Sequence, residues 1–230
     1  MLLVHGHRGA RAVLPENTLA GFQYAISVGA DYIEMDVAIT RDDVPVISHD
    51  PVLRSGQVIR ELMREELRRA DPAIPELDDV LALAGIRFNI EMKSYPEHPG
   101  FTPPPERCAG LLLDAIRGRA LESRVMVESF DFRVLRAMRR IAPEVRLAAL
   151  VEDGDPDLTA VAREAEADII APEFHVITPE NVAAAHAAGT EVITWTVNQP
   201  ADWQRLADAG VDGIITDDPA ALIAWLRYNP

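Results

Sequence analysis

Cysteine is nearly absent from this 230-residue chain. Its one example, Cys108, excludes an intrachain disulfide and lies in the helix-like run ERCAGLLLDAI, where it reads as a small core residue rather than a nucleophile. Long apolar runs are also missing. None approaches the roughly 20 residues of a membrane span. The N-terminal MLLVHGHRGA has no charged lead and only a short apolar run before His5, so it reads as a strand rather than a signal peptide. A cytoplasmic location is therefore expected. Positive charge is scarce: 22 Lys+Arg stand against 37 Asp+Glu, for a net charge of −15. That excludes a broad nucleic-acid surface, which needs clustered cations, and a polybasic membrane-docking patch. Neither a nucleic-acid partner nor stable membrane association is expected. The acidity suits solvated outer helix faces, and the oligomeric state stays open.

What the chain does contain is an alternation of short apolar strands with amphipathic helices. Strands are expected at 2–5, 32–39, 86–91, 124–127, 146–151, 168–171, 191–196 and 213–216. The intervening helices include 106–117, 132–141, 157–166, 179–188, 201–209 and 219–228. Asn17 is the expected cap of the first helix, which ends near Gly29. A second extended piece at 44–48 and two short helical runs, within ELMREELRRA and PELDDVLALAG, follow the second strand. Residues 94–105 hold five prolines and a glycine and must be an irregular loop. Eight βα units without a linker point to an α/β protein of the (β/α)8 TIM-barrel class, a single domain spanning residues 1–230 with a short insertion after strand 2. A doubly wound open sheet is the alternative. The lack of a Gly-rich phosphate loop after strand 1 counts against it.

Barrels of this class carry their sites at the C-terminal strand ends. The polar residues fall there: His7 and Arg8 after the first strand, Glu34 and Asp36 late in the second, His49 and Asp50 beyond its extension, Glu91 and Lys93 ending the third. Strand alternation puts Glu34 and Asp36 on one face and Met35 on the other, with the same pattern for Glu91 and Lys93 around Met92. Three carboxylates converging on one mouth repel unless neutralised. Their all-oxygen set suits a hard divalent cation, Mg2+ or Ca2+. With Arg8 and Lys93 added, the charges balance around a phosphodiester. Two histidines can then divide the proton work, one taking the attacking proton and one protonating the leaving alkoxide.

HRGA, PENTLAGF, GADYIEMDV, VPVISHD, NIEMK, SFD, WTVN and GVDGIITDDP occur in order along nearly the whole chain. The combination resembles the glycerophosphodiester phosphodiesterase family. The resemblance implies a metal-dependent barrel that hydrolyses a small-molecule glycerophosphodiester to glycerol 3-phosphate and an alcohol. By matching positions, His7 and His49 would be the acid/base pair. Glu34, Asp36 and Glu91 would bind the cation, and Arg8 and Lys93 would hold the phosphate. The resemblance further implies that the substrate's own glycerol hydroxyl attacks first, giving a cyclic phosphate that water opens later. The chain departs from the family after its HD pair. The usual Arg-Thr-Thr or Arg-Thr-Ser is missing and the insertion is short, so a shallower, more open pocket is expected. That motivates an alternative, a lysophospholipase D-type activity on lyso-lipids.

Several single residues carry narrower expectations. Trp195, ending strand 7, is read as an aromatic wall for the glycerol moiety. Glu128 is read as an outward salt-bridge partner in preference to a further polar group of the site. His5 is expected to be a buried, hydrogen-bonded core residue. His98 and His186 are expected in solvent, and Trp203 and Trp225 in packing. The loop pair Glu173 and His175 is read as solvated in preference to pocket-lining. Asp217 and Asp218 are both read as caps of the last helix.

Overall fold

A computed structural model describes residues 2–152, 154 and 157–229. The strands are β1 (Leu3–Gly6), β2 (Tyr32–Ile39), β3 (Pro45–Ile47), β4 (Arg87–Met92), β5 (Val125–Ser129), β6 (Arg146–Val151), β7 (Ile169–Pro172), β8 (Glu191–Thr194) and β9 (Gly213–Thr216). The helices are α1 (Leu19–Val28), α2 (Arg64–Ala70), α3 (Leu77–Leu81), α4 (Pro105–Arg117), α5 (Phe132–Ile141), α6 (Leu158–Ala165), α7 (Pro179–Ala187), α8 (Pro200–Ala209) and α9 (Pro219–Tyr228). Every strand except β3 runs parallel to its neighbours, and β1 pairs with both β2 and β9, which closes the sheet into a (β/α)8 barrel. β3 runs antiparallel along the upper half of β2 and begins the short insertion. Among the described residues, no helix is long and apolar enough to cross a membrane.

The helices start where local chemistry tells them to. Thr18, Asp131, Asp157, Thr178 and Asp218 each accept a first-turn backbone N–H, and α4, α7, α8 and α9 carry proline in the first turn, where no N–H is missed. One assignment changes. Thr18, not Asn17, caps α1. Asn17 sits in the left-handed region, at φ 57°, and sends its amide to the barrel instead.

Beside a small cluster of Ala38, Val46, Ile59 and Leu67 under the insertion, strand alternation divides the main core into two clusters. One consists of strand residues alone, including Tyr32, Met126, Leu150, Ile169, Ile193 and Ile215, and fills the barrel. The other joins the opposite strand faces to the helices. Met35 and Met92 belong to it and are fully buried, as the alternation around them requires. Burying each of these side chains contributes about 1.5–3 kcal/mol. Trp203 and Trp225 pack against each other at 6.0 Å, outside the barrel, as expected.

His5 departs from expectation. It is fully buried and stacks on Tyr32 at 4.4 Å, but neither ring nitrogen has a hydrogen-bond partner among the described residues. Its strand neighbours by register are Tyr32 and Ile215, which offer stacking and apolar contact rather than polar partners. Burial, aided by Arg87 and Arg146, pulls its pKa down to about 3, so the ring is neutral.

Candidate active site

Parallel register builds the mouth of the barrel. Asp36 of β2 lies opposite Glu91 of β4, and Glu91 lies opposite Glu128 of β5, so three carboxylates form one row across adjacent strands. Glu34 lies one inward-facing position below Asp36. Above them opens a cavity of about 390 Å³ lined by His7, Arg8, Glu34, His49, Glu91, Lys93 and Trp195. Of the residues predicted from sequence, Asp36 alone stays out of that lining, buried at 1% exposure.

Asp36 is held by cations. Its Oδ2 accepts a 2.8 Å bond from Asn17 Nδ2 and lies 3.1 Å from Arg8 Nε; its Oδ1 lies 3.4 Å from Lys93 Nζ and has no hydrogen bond. Burial pushes this carboxyl up, but Lys93 and Arg8 outweigh it and hold the group below its ordinary range. Lys93 Nζ also donates to Glu91 Oε1 at 2.8 Å. The carboxylates that approach within 4.8 Å of one another are Glu34, Glu91 and Glu128.

Glu128 corrects an expectation. It does not point outward; it is 2% exposed and accepts a 2.8 Å bond from Asn89 Nδ2 beside Glu34 and Glu91. The reason is register. Position 128 continues the inward series of Met126, and an inward residue at the strand end meets the mouth. Burial first, and neighbouring carboxylates after it, drive Glu34 well above the ordinary carboxylate range and Glu91 to about 8. Burial likewise raises Glu128 to about 7.

Each histidine is anchored by an aspartate through Nδ1. His7 Nδ1 lies 2.5 Å from Asp217 Oδ1, and His49 Nδ1 lies 2.8 Å from Asp50 Oδ1. In both, Nε2 makes no hydrogen bond among the described residues; His7 Nε2 lies 4.0 Å from Glu34 Oε2. Asp217 is itself fixed by Asn198, whose amide donates to Oδ2 at 2.8 Å while its oxygen accepts the Asp217 backbone N–H at 2.9 Å. Asp218 alone caps α9, so the twin-cap reading is half right. Tyr95 donates to the His49 carbonyl at 2.9 Å and steadies the loop that carries it. Burial lowers the His49 pKa.

The strand-1 loop is shaped by backbone as much as by side chains. Arg8 sits at φ 47°, and its N–H donates to Glu34 Oε2 at 2.7 Å. Its guanidinium donates to Glu16 at 3.0 Å. Gly9 follows at φ 89°, where a Cβ would lie 2.7 Å from the Gly21 backbone. Trp195 is fixed by a bond from its indole N–H to the Ala171 carbonyl and meets the exposed Phe130 edge-on at 5.6 Å, and both line this cavity. Glu173 and His175 pair with each other away from this cavity, with His175 73% exposed. His186 is also exposed, against Asp212.

Sequence reading missed Asp217, Asn198 and the inward turn of Glu128. The doubled Asp217–Asp218 was the available signal, since one cap needs one aspartate.

Comparison with known proteins agrees with this geometry. The model of the glycerophosphoryl diester phosphodiesterase family matches residues 7–221. A glycerophosphodiester phosphodiesterase of Caldanaerobacter subterraneus subsp. tengcongensis is 34% identical, over 98% of this chain and 98% of its own. A solved candidate glycerophosphoryl diester phosphodiesterase of Silicibacter pomeroyi DSS-3 superposes with a TM-score of 0.91 at 31% identity, covering 100% of this chain and 94% of that one. An Oleispira antarctica phosphodiesterase solved with the product sn-glycerol-3-phosphate shares the fold, with a TM-score of 0.87 at 22% identity over 98% and 96% of the two chains. Matched across almost its whole length, the chain belongs to the glycerophosphoryl diester phosphodiesterase family, a family of phosphoric diester hydrolases.

Proposed function

We propose that the protein hydrolyses glycerophosphodiesters to glycerol 3-phosphate and an alcohol, with His7 and His49 as the acid/base pair. The observation that carries this reading is the shared cavity: two Asp-anchored imidazoles, Arg8 and Lys93 line the same 390 Å³ space as the carboxylates. Arg8 and Lys93 hold the phosphate, and Trp195 and Phe130 wall the glycerol side. The substrate's glycerol hydroxyl attacks phosphorus while one histidine takes its proton and the other protonates the departing alkoxide. Water then opens the cyclic phosphate with the roles reversed.

A divalent cation, Mg2+ or Ca2+, fits the donor set. The donors are all oxygen, Asp36 Oδ1 is buried without a hydrogen bond, and Glu128 is buried with no Lys or Arg within ion-pair distance among the described residues. Glu34 and Glu91 would hold the ion together with Glu128, which converges on them within 4.8 Å, and Asp36 would add its unbonded Oδ1. When bound, such an ion neutralises the carboxylates and polarises the phosphoryl group. The protein's own residues then position the diester and move the protons.

Purified protein with Mg2+ or Ca2+ should release glycerol 3-phosphate from glycerophosphocholine, and His7→Ala and His49→Ala should each remove turnover. Undiminished activity in excess chelator, or in both variants, would sink the reading. A second reading, cleavage of lyso-lipids, draws on the apolar rim: Phe130 is 42% exposed beside Trp195, where an acyl chain has something to pack on. Turnover on a lyso-lipid exceeding that on glycerophosphocholine would select it.

A further inference from the structure

Two cavities open side by side at the barrel mouth, and His49 and Arg11 line both. The first is the one that holds the carboxylates. The second, of about 640 Å³, runs outward between the strand-1 loop and the segment that follows β3. Its walls mix aliphatic side chains, Val52, Leu53 and Ile74, with Asp50, Arg54 and Asp71. Among the described residues, Arg54 has no carboxylate within ion-pair distance, so its charge on that wall is unpaired. The wall is built, not slack. Leu53 N–H donates to the Gln57 carbonyl and Gly56 N–H to the Leu53 carbonyl, each at 2.8 Å, and Ile59 N–H reaches the Pro51 carbonyl at 2.9 Å.

A phosphodiester has two ester arms, and the two proton transfers occur on opposite sides of phosphorus. The arm that keeps the phosphate must bring its hydroxyl to the base. The arm that leaves must place its oxygen against the acid. His7 lines the first cavity alone, whereas His49 stands where the two cavities meet. We propose that the glycerol arm lies in the first cavity against His7 and that the departing alcohol lies in the second, beyond His49. This rests on the phosphodiesterase reading above and deepens it. Val52, Leu53, Arg54 and Ile74 then determine which alcohol is accepted. Walls bearing both signs of charge among short aliphatic groups suit a small polar alcohol with charged or hydroxyl substituents, not an acyl chain.

The test compares a diester with glycerol 2,3-cyclic phosphate, which has no departing alcohol. Leu53→Trp narrows the second cavity, and Arg54→Ala removes its unpaired cation. Leu53→Trp should lower the ratio of kcat/KM on glycerophosphocholine to kcat/KM on the cyclic phosphate at least tenfold. Arg54→Ala should change the preference between glycerophosphoserine and glycerophosphocholine at least threefold, with the serine group, which carries a carboxylate, losing more. Equal losses on diester and cyclic phosphate, or unchanged headgroup preference in Arg54→Ala, would overturn the assignment. Should Leu53→Trp fail to fold, the exposed Arg54 decides alone. Wild-type protein that cleaves no glycerophosphodiester would instead bring down the underlying phosphodiesterase reading.

Discussion

His7 Nδ1 lies 2.5 Å from Asp217 Oδ1, across 210 positions of chain. The contact joins the loop after β1 to the loop after β9, the two strands whose pairing helps close the barrel. An aspartate at Nδ1 fixes the ring orientation and the tautomer, leaving Nε2 for the reacting proton. Burial works to raise the Asp217 pKa, yet the bond to His7 and its charge, with Asn198 and Arg11, together outweigh it and hold the carboxyl below its ordinary range. Asp217→Ala should therefore lower kcat by about 10²-fold or more with a smaller change in KM, because proton transfer of this kind contributes roughly 10²–10⁴-fold. Combining it with His7→Ala should cost no more than His7→Ala alone, since the aspartate acts through the imidazole. Steady-state kinetics of the three variants check this. Additive losses would show that Asp217 acts elsewhere.

The carboxylate row links pH to cation binding. Glu34, Glu91 and Glu128 all have folded-state pKa values above their unfolded ones, with Glu91 near 8 and Glu128 near 7. A carboxyl raised in this way stabilises the fold fully below its unfolded value, about 4.3, and that contribution is lost as pH rises through the folded value. Asp36, lowered by Lys93 and Arg8, works in the opposite direction, but only at more acid pH. Cation-free protein should thus lose thermal stability between about pH 5 and pH 8. Adding Ca2+ or Mg2+ should raise Tm by several degrees at pH 8 and by much less at pH 5, where the ligands carry protons. Differential scanning calorimetry with and without chelator measures both slopes. An equal cation shift at the two pH values would contradict the ligand assignment.

Much of this was written locally. Glu34-Met35-Asp36 and Glu91-Met92-Lys93 reveal their inward faces through alternation alone, and Met35 and Met92 are buried on the opposite side as that alternation requires. The barrel follows from eight such strands, each trailed by a helix. What stayed hidden depends on contacts between distant segments. Asp217 looks like a cap because it precedes one, and only barrel closure brings His7 to it. Asn17 has the composition of a cap, but its left-handed backbone hands that task to Thr18 and turns the amide to Asp36. Glu128 faces inward because β5 runs on to Ser129, whereas the strand expected from sequence ended at Val127 and left Glu128 outside the alternation.

Gly9 holds the strand-1 loop in place. Its φ of 89° is a region that a side chain disfavours, and an added Cβ would come within 2.7 Å of the backbone at Gly21 and 2.9 Å of Phe22 N. Backbone cannot yield as a flexible side chain can, so the loop or the start of α1 must shift. Gly9→Ala should destabilise the protein by about 1–3 kcal/mol, a Tm loss of roughly 2–12 °C for a chain of this size. It should also lower kcat, because His7 and Arg8 ride on that loop. Gly29→Ala provides the control. It shares a positive φ, at 94°, but nothing lies within 4 Å of the added Cβ and it stands at the far end of α1. Its stability loss should come without loss of kcat. Equal catalytic damage from both would show that left-handed strain, not loop displacement, is responsible.

His5 sets the acid limit of the fold. It is wholly buried, stacked on Tyr32, and carries no hydrogen bond at either nitrogen among the described residues. Its pKa falls from 6.5 to about 3 on folding. For a histidine whose folded value is depressed, the unfolded chain binds the proton first, so stability is lost as pH falls from 6.5 toward 3. The difference corresponds to roughly 4–5 kcal/mol over that window, at about 1.4 kcal/mol per pKa unit. His49, also lowered by burial, adds to the slope in the same direction. His5→Phe keeps a ring to stack on Tyr32 and removes the titration. Its unfolding free energy should therefore rise relative to that of the wild type as pH falls from 6 to 4, whatever its stability at neutral pH. Chemical denaturation across that range gives both curves. Parallel curves would mean that the buried imidazole reaches water or a proton acceptor before the rest of the barrel opens.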